Sequence, residues 1–394
     1  MAERYIGENT PKLGFGFMRV PIKPKKGSNW TEGTLDFDYE KTCEMVDYFM
    51  ANGFNTYHTA WAYEGNEEFL RETVVKRYPR DSFEIVDNLP VHVIDDPAMV
   101  APTFQESLEH LGVDCIDYLL LHMLNQRLSE RCEKTGVWDF VSKMKAEGKV
   151  KHIGFSFHDT PEQLDAVLTN HPEVDVVQLQ INYADWETEM PAARRCYEIA
   201  WLKHKKPFFI MEPVKGGILG ADVDVMREVF EKINPGDSNA RWALRFVLGL
   251  DGLISAFSGM SSMDQMIDNV ETAKNYKPLS DEEKKALDEV TEKLKKVEAY
   301  QCTHCRYCIP LCPMEISCCD MIDCVNDAVT YKLIGKAKHH YDFITGHEIG
   351  RGKPGTCVEC GACEGHCPQH LPISKIMLQA HELFEDPDLV VDQA

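Results

Sequence analysis

The sequence predicts an α/β protein: an eight-stranded parallel βα barrel followed by a small, mainly helical, cysteine-rich domain. Three observations carry this. Over residues 1–280, short apolar runs alternate with longer amphipathic stretches. Counted from Phe54, seven strands are each followed by a helix, with one further strand at the N-terminus, and a closed barrel is the simplest arrangement of that series. Finally, 11 of the 15 cysteines lie after residue 300, and eight of them fall into two copies of one pattern.

In chain order, Gly14–Val20 reads as a strand. Tyr39–Asn52 has helical spacing and stops at Asn52-Gly53, a natural C-terminal signal. Phe54–Thr59 is the next strand, Glu67–Arg77 a helix and Phe83–Asn88 a strand. Met99–Leu111 is a helix, and Cys115–His122 a buried strand. Gly136–Glu147 is helical and Val150–Ser156 extended. The pairs Pro161–Thr169 with Val174–Gln180, and Pro191–Lys203 with Pro207–Met211, continue the alternation. Asn239–Leu248, Leu253–Ser258 and Asp264–Lys274 complete it. A parallel barrel puts its chemistry at the C-terminal ends of its strands, which makes His58 and the loop after it, Asn88, His122, Ser156, Gln178 and Met211 the candidates. Residues 281–299, with Asp281-Glu-Glu-Lys-Lys and Glu292-Lys-Leu-Lys-Lys, read as a solvated helical connector. The domain boundaries are therefore 1–280, 281–299 and 300–394.

The last domain begins with Cys302, Cys305, Cys308 and Cys312, followed by Pro313. The same C-x2-C-x2-C-x3-C-P pattern recurs as Cys357, Cys360, Cys363, Cys367 and Pro368. Two complete copies have the spacing of a two-cluster ferredoxin. Three thiolates on a tight loop clasp three corners of one [4Fe–4S] cube, and the fourth cysteine crosses to the other. One cluster is thus assigned to Cys302, Cys305, Cys308 and Cys367, the other to Cys357, Cys360, Cys363 and Cys312. Zinc needs only four ligands, often as distant C-x2-C pairs. Disulfides suit small secreted scaffolds. Neither explains the repeated C-P ending. Between the motifs stand Cys318, Cys319 and Cys324, whose spacing matches no established ligand pattern and which are expected to be buried or free thiols.

Composition narrows the partners. The net charge of −22, from 42 basic and 64 acidic residues, repels phosphate backbones and argues against nucleic acid. The first ten residues lack the apolar core of a signal peptide, and no run of about 18 apolar residues offers a membrane span. Cysteines committed to clusters point to a reducing cytoplasm.

Five phrases give the barrel a family likeness: Gly53-Phe-Asn-Thr-Tyr-His-Thr-Ala-Trp-Ala-Tyr63, Asp117-Tyr-Leu-Leu-Leu-His122, Gly148-Lys-Val-Lys-His-Ile-Gly-Phe-Ser-Phe-His-Asp159, Met211-Glu-Pro-Val-Lys-Gly-Gly217 and Ser258-Gly-Met-Ser-Ser-Met-Asp-Gln265. In order and content, this stretch of roughly residues 10–275 resembles the aldo/keto reductase superfamily, a (β/α)8 TIM barrel. With the cysteine motifs it is similar to that superfamily's iron–sulfur branch, which carries a C-terminal ferredoxin-like domain. The resemblance implies carbonyl reduction by hydride from a nicotinamide, around an Asp, Tyr, Lys and His tetrad. Tyr63 and His122 fall on the Tyr and His, but His58 stands at the Asp position and Asn88 at the Lys position. Losing one member of a buried ion pair strands a charge at about 3–5 kcal/mol; losing both strands none. Asp87 cannot take over, because adjacent strand residues face opposite ways.

For the cofactor, the likeness implies Ser156 and Gln178 at the carboxamide and Ser258 and Asn269 at the adenosine end; Met211, at a strand end, and Lys215, before Gly216-Gly217, are further candidates, the latter for the pyrophosphate, although a Gly-Gly turn is equally a simple βα loop. The family's cations for a 2′-phosphate fall on Gly259 and Gln265, so NAD(H) is expected ahead of NADP(H).

The leading expectation is an oxidoreductase acting on a small carbonyl- or hydroxyl-bearing substrate, with two [4Fe–4S] clusters relaying electrons to or from a partner ferredoxin or flavoprotein. The alternatives are a lyase or isomerase using His58, His122 and Tyr63 as acids and bases, and a non-catalytic electron-transfer subunit. Nicotinamide binding and cluster reduction by it separate the three.

Overall fold

The computed structural model describes residues 4–23, 25–26, 36–63, 65–188, 191–297, 299–300, 302, 308–346, 350–367, 369–386 and 390–391. The chain divides into two compact units. One comprises residues 1–21, 38–220 and 236–287; the other comprises 22–37, 221–235 and 288–394.

The first unit is built on a closed barrel of eight parallel strands. They are β1 (Leu13–Gly16), β2 (Thr56–Ala60), β3 (Glu84–Leu89), β4 (Ile116–Leu124), β5 (Val150–Phe157), β6 (Val176–Gln180), β7 (Phe208–Met211) and β8 (Leu253–Ser258). Closure is made by β1, which pairs Phe15 with Tyr57 on one side and Leu13 with Ala256 on the other. Because side chains alternate along each strand, Val86, Tyr118, Leu120, Val176, Phe209 and Phe257 fill the interior. The same alternation aims His58, Asn88, His122 and Gln178, two positions on from interior residues, into the C-terminal mouth. Gly14 is required by this packing: a Cβ there would stand 2.5 Å from the Phe257 ring, and that ring carries His58 stacked on it, with centroids 4.6 Å apart.

Around the barrel run α1 (Tyr39–Ala51), α2 (Asn66–Leu70), α3 (Pro97–Leu111), α4 (Gln126–Thr135), α5 (Val137–Ala146), α6 (Pro161–Asn170) and α7 (Ala193–Tyr197). The first unit also carries α9 (Asn239–Leu248) and α10 (Met263–Lys274), whereas α8 (Asp224–Phe230) belongs to the second unit. Their starts are written in the sequence. Asp38, Asp96, Asn125, Thr160, Ser238 and Ser262 each accept a hydrogen bond from a backbone N–H of the first turn, satisfying donors that have no partner within the helix.

Several elements depart from the expected ones. The first strand stops at Gly16, and Phe17–Arg19 form a 3-10 turn. The helices expected over Glu67–Arg77 and Pro191–Lys203 are each split: α2 and α7 pass into π-turns at Arg71–Val75 and Glu198–Lys203. The expected solvated connector is α11 (Asp281–Val297), and it is one-sided rather than solvated all round. Ala286, Leu287, Val290 and Leu294 are buried along one stripe, the helical spacing of an apolar face.

The second unit continues with α12 (Cys318–Val329), α13 (Ile334–Thr345), α14 (Ala362–Gly365) and α15 (Ile373–Phe384). Ile316, Met321, Val325, Tyr341, Ile376, Met377 and Phe384 form its core, and Tyr341 stacks on Phe384 at 5.4 Å. Cys318, Cys319 and Cys324 are buried in it and form no disulfide among the described residues. Lys25–Lys26 pair antiparallel with Val390–Val391. No helix among the described residues is long and apolar enough to cross a membrane.

A buried carboxyl beneath the barrel mouth yields a stability prediction. Asp87, the outward neighbour of Asn88, is fully buried. Burial first, and then the charge of Glu67, push its carboxyl well above the usual range. The folded state therefore keeps a proton that the unfolded chain releases above about pH 3.9. Stability is lost as pH rises from there through the folded value, at about 1.4 kcal/mol per unit of separation. The melting temperature of Asp87→Asn relative to wild type is expected to be higher at pH 8 than at pH 5. A difference independent of pH would show that ionisation of Asp87 does not set it.

Candidate active site and cysteine cavity

Five predicted residues meet at the barrel mouth: His58, Asn88, Gln178, Tyr63 and His122. His58 lies in the middle of β2 and Asn88 one residue from the end of β3, and Asn88 Nδ2 stands 3.2 Å from His58 Nε2. Gln178 of β6 brings its Nε2 to 3.3 Å from the same nitrogen. With both amides as they stand, Nε2 accepts and the imidazole proton is on Nδ1. If either amide were rotated, its oxygen would instead accept from an Nε2–H. In both arrangements the ring is neutral. Burial lowers the His58 pKa to about 4, against the opposing Asn88 hydrogen bond.

Tyr63 reaches the pocket from the loop after β2, held by a turn in which its N–H donates to the Ala60 carbonyl at 3.0 Å. Its ring lies 6.3 Å from that of His58 and 5.8 Å from that of His122, edge-on to both. Burial pushes the phenol up, Glu212 pushes it further, and the charge of Arg19 opposes them.

His122 is placed by an irregularity in β4. The pairing register of β4 with β5 shifts between Leu121 and Leu124. Met123 there has a φ of 59°, and its N–H donates to Ser156 Oγ at 2.8 Å. Such bulges re-aim side chains beside functional sites. Burial, then the neighbouring His92, hold the His122 pKa well below its ordinary value. His122 Nδ1, Asn88 Oδ1 and Gln178 Oε1 are buried and make no hydrogen bond. Unpartnered buried polar atoms are costly, and three at one mouth suit a polar ligand that would satisfy them.

The residues expected along the dinucleotide are in part engaged with one another. Ser156 Oγ accepts from Met123, which leaves its O–H to donate. Met211 ends β7 beside Gln180. Lys215 is ion-paired with Asp185. Asn269 Nδ2 donates to Ser258 Oγ at 2.7 Å. At the start of α10, Gln265 Oε1 accepts from the Ser261 N–H at 2.8 Å, so that donor already has a partner. Asp185 went unnoticed in sequence. It is buried, and burial opposes its charge. The Lys215 ammonium, followed by Asn182 and Gln180, nonetheless holds its carboxyl below the usual range. Lys215→Met would strand this carboxylate. A loss of about 3 kcal/mol of unfolding stability is expected, the low end for a broken buried pair because Lys215 remains a third exposed. Adding Asp185→Asn should restore most of it, and failure of that rescue in denaturant titrations would mean the lysine acts through packing.

In the second unit, a pocket with about 340 Å³ of empty space, open solvent included, is lined by Cys312, Cys357, Cys360 and Cys363, with Cys318, Val358 and Met377 also in its wall. The first four are the thiols assigned by spacing to one cluster. Of the other set, Cys302, Cys308 and Cys367 pack against the unit's core, and Cys305 lies outside the described residues. Among the described residues, no three Cys, His, Asp or Glu side chains stand close enough together to hold a metal ion. Tetrahedral zinc with Zn–S near 2.3 Å draws its sulfurs to within about 3.8 Å of one another. Four thiols drawn from two motifs and lining one pocket match the all-thiolate donor set of an inorganic cluster.

The sequence model of the aldo/keto reductase family matches residues 12–292. A curated relative, aldo-keto reductase str7 of Strobilurus tenacellus, is 27% identical over 185 residues, 46% of this chain and 52% of that protein. The chain thus spans about half the length of the curated relative it matches. Among solved structures, the holo form of an aldo-keto reductase from Bacillus halodurans aligns with a TM-score of 0.55 at 20% identity, covering 74% of this chain and 96% of that one. An aldo/keto reductase from Klebsiella pneumoniae in complex with NADP and acetate gives 0.53 at 20% identity, covering 72% and 92%. At that identity, the likeness shows the fold alone.

Proposed function

The chain belongs to the aldo/keto reductase family, and from that premise we propose an oxidoreductase whose barrel acts on a small carbonyl- or hydroxyl-bearing substrate with a nicotinamide. Two [4Fe–4S] clusters in the C-terminal unit relay electrons to or from a partner ferredoxin or flavoprotein. The observation that carries the barrel reading is the convergence of Tyr63, His122, His58 and Asn88 on one mouth lined by unpartnered buried polar atoms.

The nicotinamide, when bound, supplies the hydride. Ser156 Oγ–H and Gln178 Oε1 are the groups that would hold its carboxamide. Tyr63 moves the proton. A phenol held above its ordinary pKa of about 10 stays protonated near neutrality, so it serves better as donor to a developing alkoxide than as base toward an alcohol. This favours reduction over oxidation at neutral pH. His122 stays neutral and orients the substrate oxygen. His58 is neutral as well, fixed by Asn88 and Gln178, and completes the proton path behind Tyr63. His58 and Asn88 put no charge at the two positions of the family's Asp and Lys, so the proton rests on the phenol and on its neutral neighbours.

The cluster reading is supported by the duplicated motif and by the cavity walled by Cys312, Cys357, Cys360 and Cys363. These cysteines would hold one cube as thiolates, and Cys302, Cys305, Cys308 and Cys367 the other.

A screen of aldehydes and ketones with NADH and NADPH, on cluster-reconstituted protein under anaerobic conditions, tests the barrel reading. The pH dependence of kcat/KM is expected to be flat from about pH 6 to 8, because neither pocket histidine titrates there, and to fall only as His58 gains a proton near 4. A break near the ordinary histidine value of about 6.5 would contradict the neutral, amide-held imidazole.

A further inference from the structure

Arg19 lies within the stretch that resembles the family, at a position to which the likeness assigns no role. It ends the 3-10 turn after β1, and its stem lies flat along Gly259, just past the end of β8. A Cβ on Gly259 would meet Arg19 Cβ at 2.9 Å, Cδ at 3.0 Å and Cγ at 3.2 Å. Glycine at 259 therefore makes room for the arginine. Gly16, three residues before Arg19, pairs with His58, which sets the turn at the C-terminal mouth, and the charge of Arg19 acts on the Tyr63 phenol. Glu212 acts on Tyr63 in the opposite sense, but among the described residues Arg19 forms no ion pair with Glu212 or with any other carboxylate.

A half-buried guanidinium with five donors and no acidic partner among the described residues is suited to take an anion. Its stem is already fixed by packing, so little side-chain freedom is left to lose when an oxyanion binds. Position 259 is also where the likeness expects a cation and finds none. Arg19 lays its stem over that position from the β1 side of the β1–β8 seam.

We propose that Arg19 is an anion-binding residue of the barrel mouth, taking an oxyanion — a carboxylate of the substrate or a phosphate of the dinucleotide — and holding it beside Tyr63. The phosphate source rests on the nicotinamide reading above; the carboxylate source does not. Charge-assisted hydrogen bonds to such a fork are worth about 1.5–3 kcal/mol, which corresponds to a tenfold or greater change in affinity.

Calorimetric titration of reconstituted wild type, Arg19→Gln, Arg19→Lys and Gly259→Ala with NADH, NADPH, pyruvate and its uncharged amide tests this. Arg19→Gln is expected to weaken the anion it serves at least tenfold while leaving the amide unchanged. Arg19→Lys should lose less. Gly259→Ala, which displaces the arginine stem, should weaken the same ligand severalfold. Loss confined to the dinucleotides assigns a phosphate; loss confined to pyruvate assigns a carboxylate. Pyruvate binding that depends on Arg19 in a protein that binds neither dinucleotide would uphold the anion site while removing the nicotinamide reading. Equal binding of every anion by wild type and Arg19→Gln, or no anion bound by wild type, overturns the proposal. Melting temperature and iron content report folding, and Arg19→Lys with Gly259→Ala keep the test decisive if Arg19→Gln fails to fold.

Discussion

Tyr63→Phe is expected to lower kcat/KM by about 10²–10⁴, the usual contribution of a positioned acid–base group, with iron content and dinucleotide affinity within twofold of wild type. The substitution removes one hydroxyl and keeps the ring that lies edge-on between His58 and His122, so the pocket should hold its shape. His122→Asn would lower turnover less, because His122 orients an oxygen without giving up a proton. Were Tyr63→Phe to retain full activity, the proton would have to come from an imidazole. Burial makes that a poor prospect, since both His58 and His122 are held neutral. Placing the donor on a phenol is therefore a claim about which group still carries a proton at neutral pH.

Cys312→Ala and Cys360→Ala should each remove the iron of the same cluster, and the double variant should lose no more than either alone. The two residues belong to different motifs, 48 positions apart in sequence, yet both line one cavity. Loss of different clusters, seen as additive iron loss, would mean that each motif binds its own cube with all four of its cysteines. Cys318→Ala provides the contrast. It stands in the same cavity wall but is expected to leave the iron content unchanged.

The barrel was legible in the sequence because its signal is periodic and local. Each apolar run, such as Cys115–His122, is too short for a helix and is followed by an amphipathic stretch. What the sequence hid was mostly geometry between distant segments. Helix α4 was missed because Gln126–Thr135 is strongly polar, with only Leu128, Cys132 and Thr135 buried. The π-turns after α2 and α7 leave no composition signal. Arg19 looked like the end of a strand, and only the turn after Gly16 carries it over Gly259. Asp185 and Lys215 are 30 residues apart, and nothing local announces their pairing. The five pocket residues, by contrast, followed from strand alternation together with family order. The bulge at Met123 that aims His122 did not, because a left-handed φ at a methionine is set by the sheet around it rather than by the residue.

The central claim is that the barrel binds a nicotinamide and uses it for hydride transfer beside Tyr63. Anaerobic titration of purified, reconstituted protein with NADH and then NADPH, following binding by calorimetry and the clusters by visible absorbance, tests it most directly. The account predicts saturable binding of at least one nucleotide, NADH first. Bleaching of the cluster absorbance on NADH addition would link the barrel to the clusters; binding without bleaching would assign the clusters to another partner. Failure of both nucleotides to bind would contradict the claim, and acid–base chemistry without a nicotinamide would become the working description of the barrel.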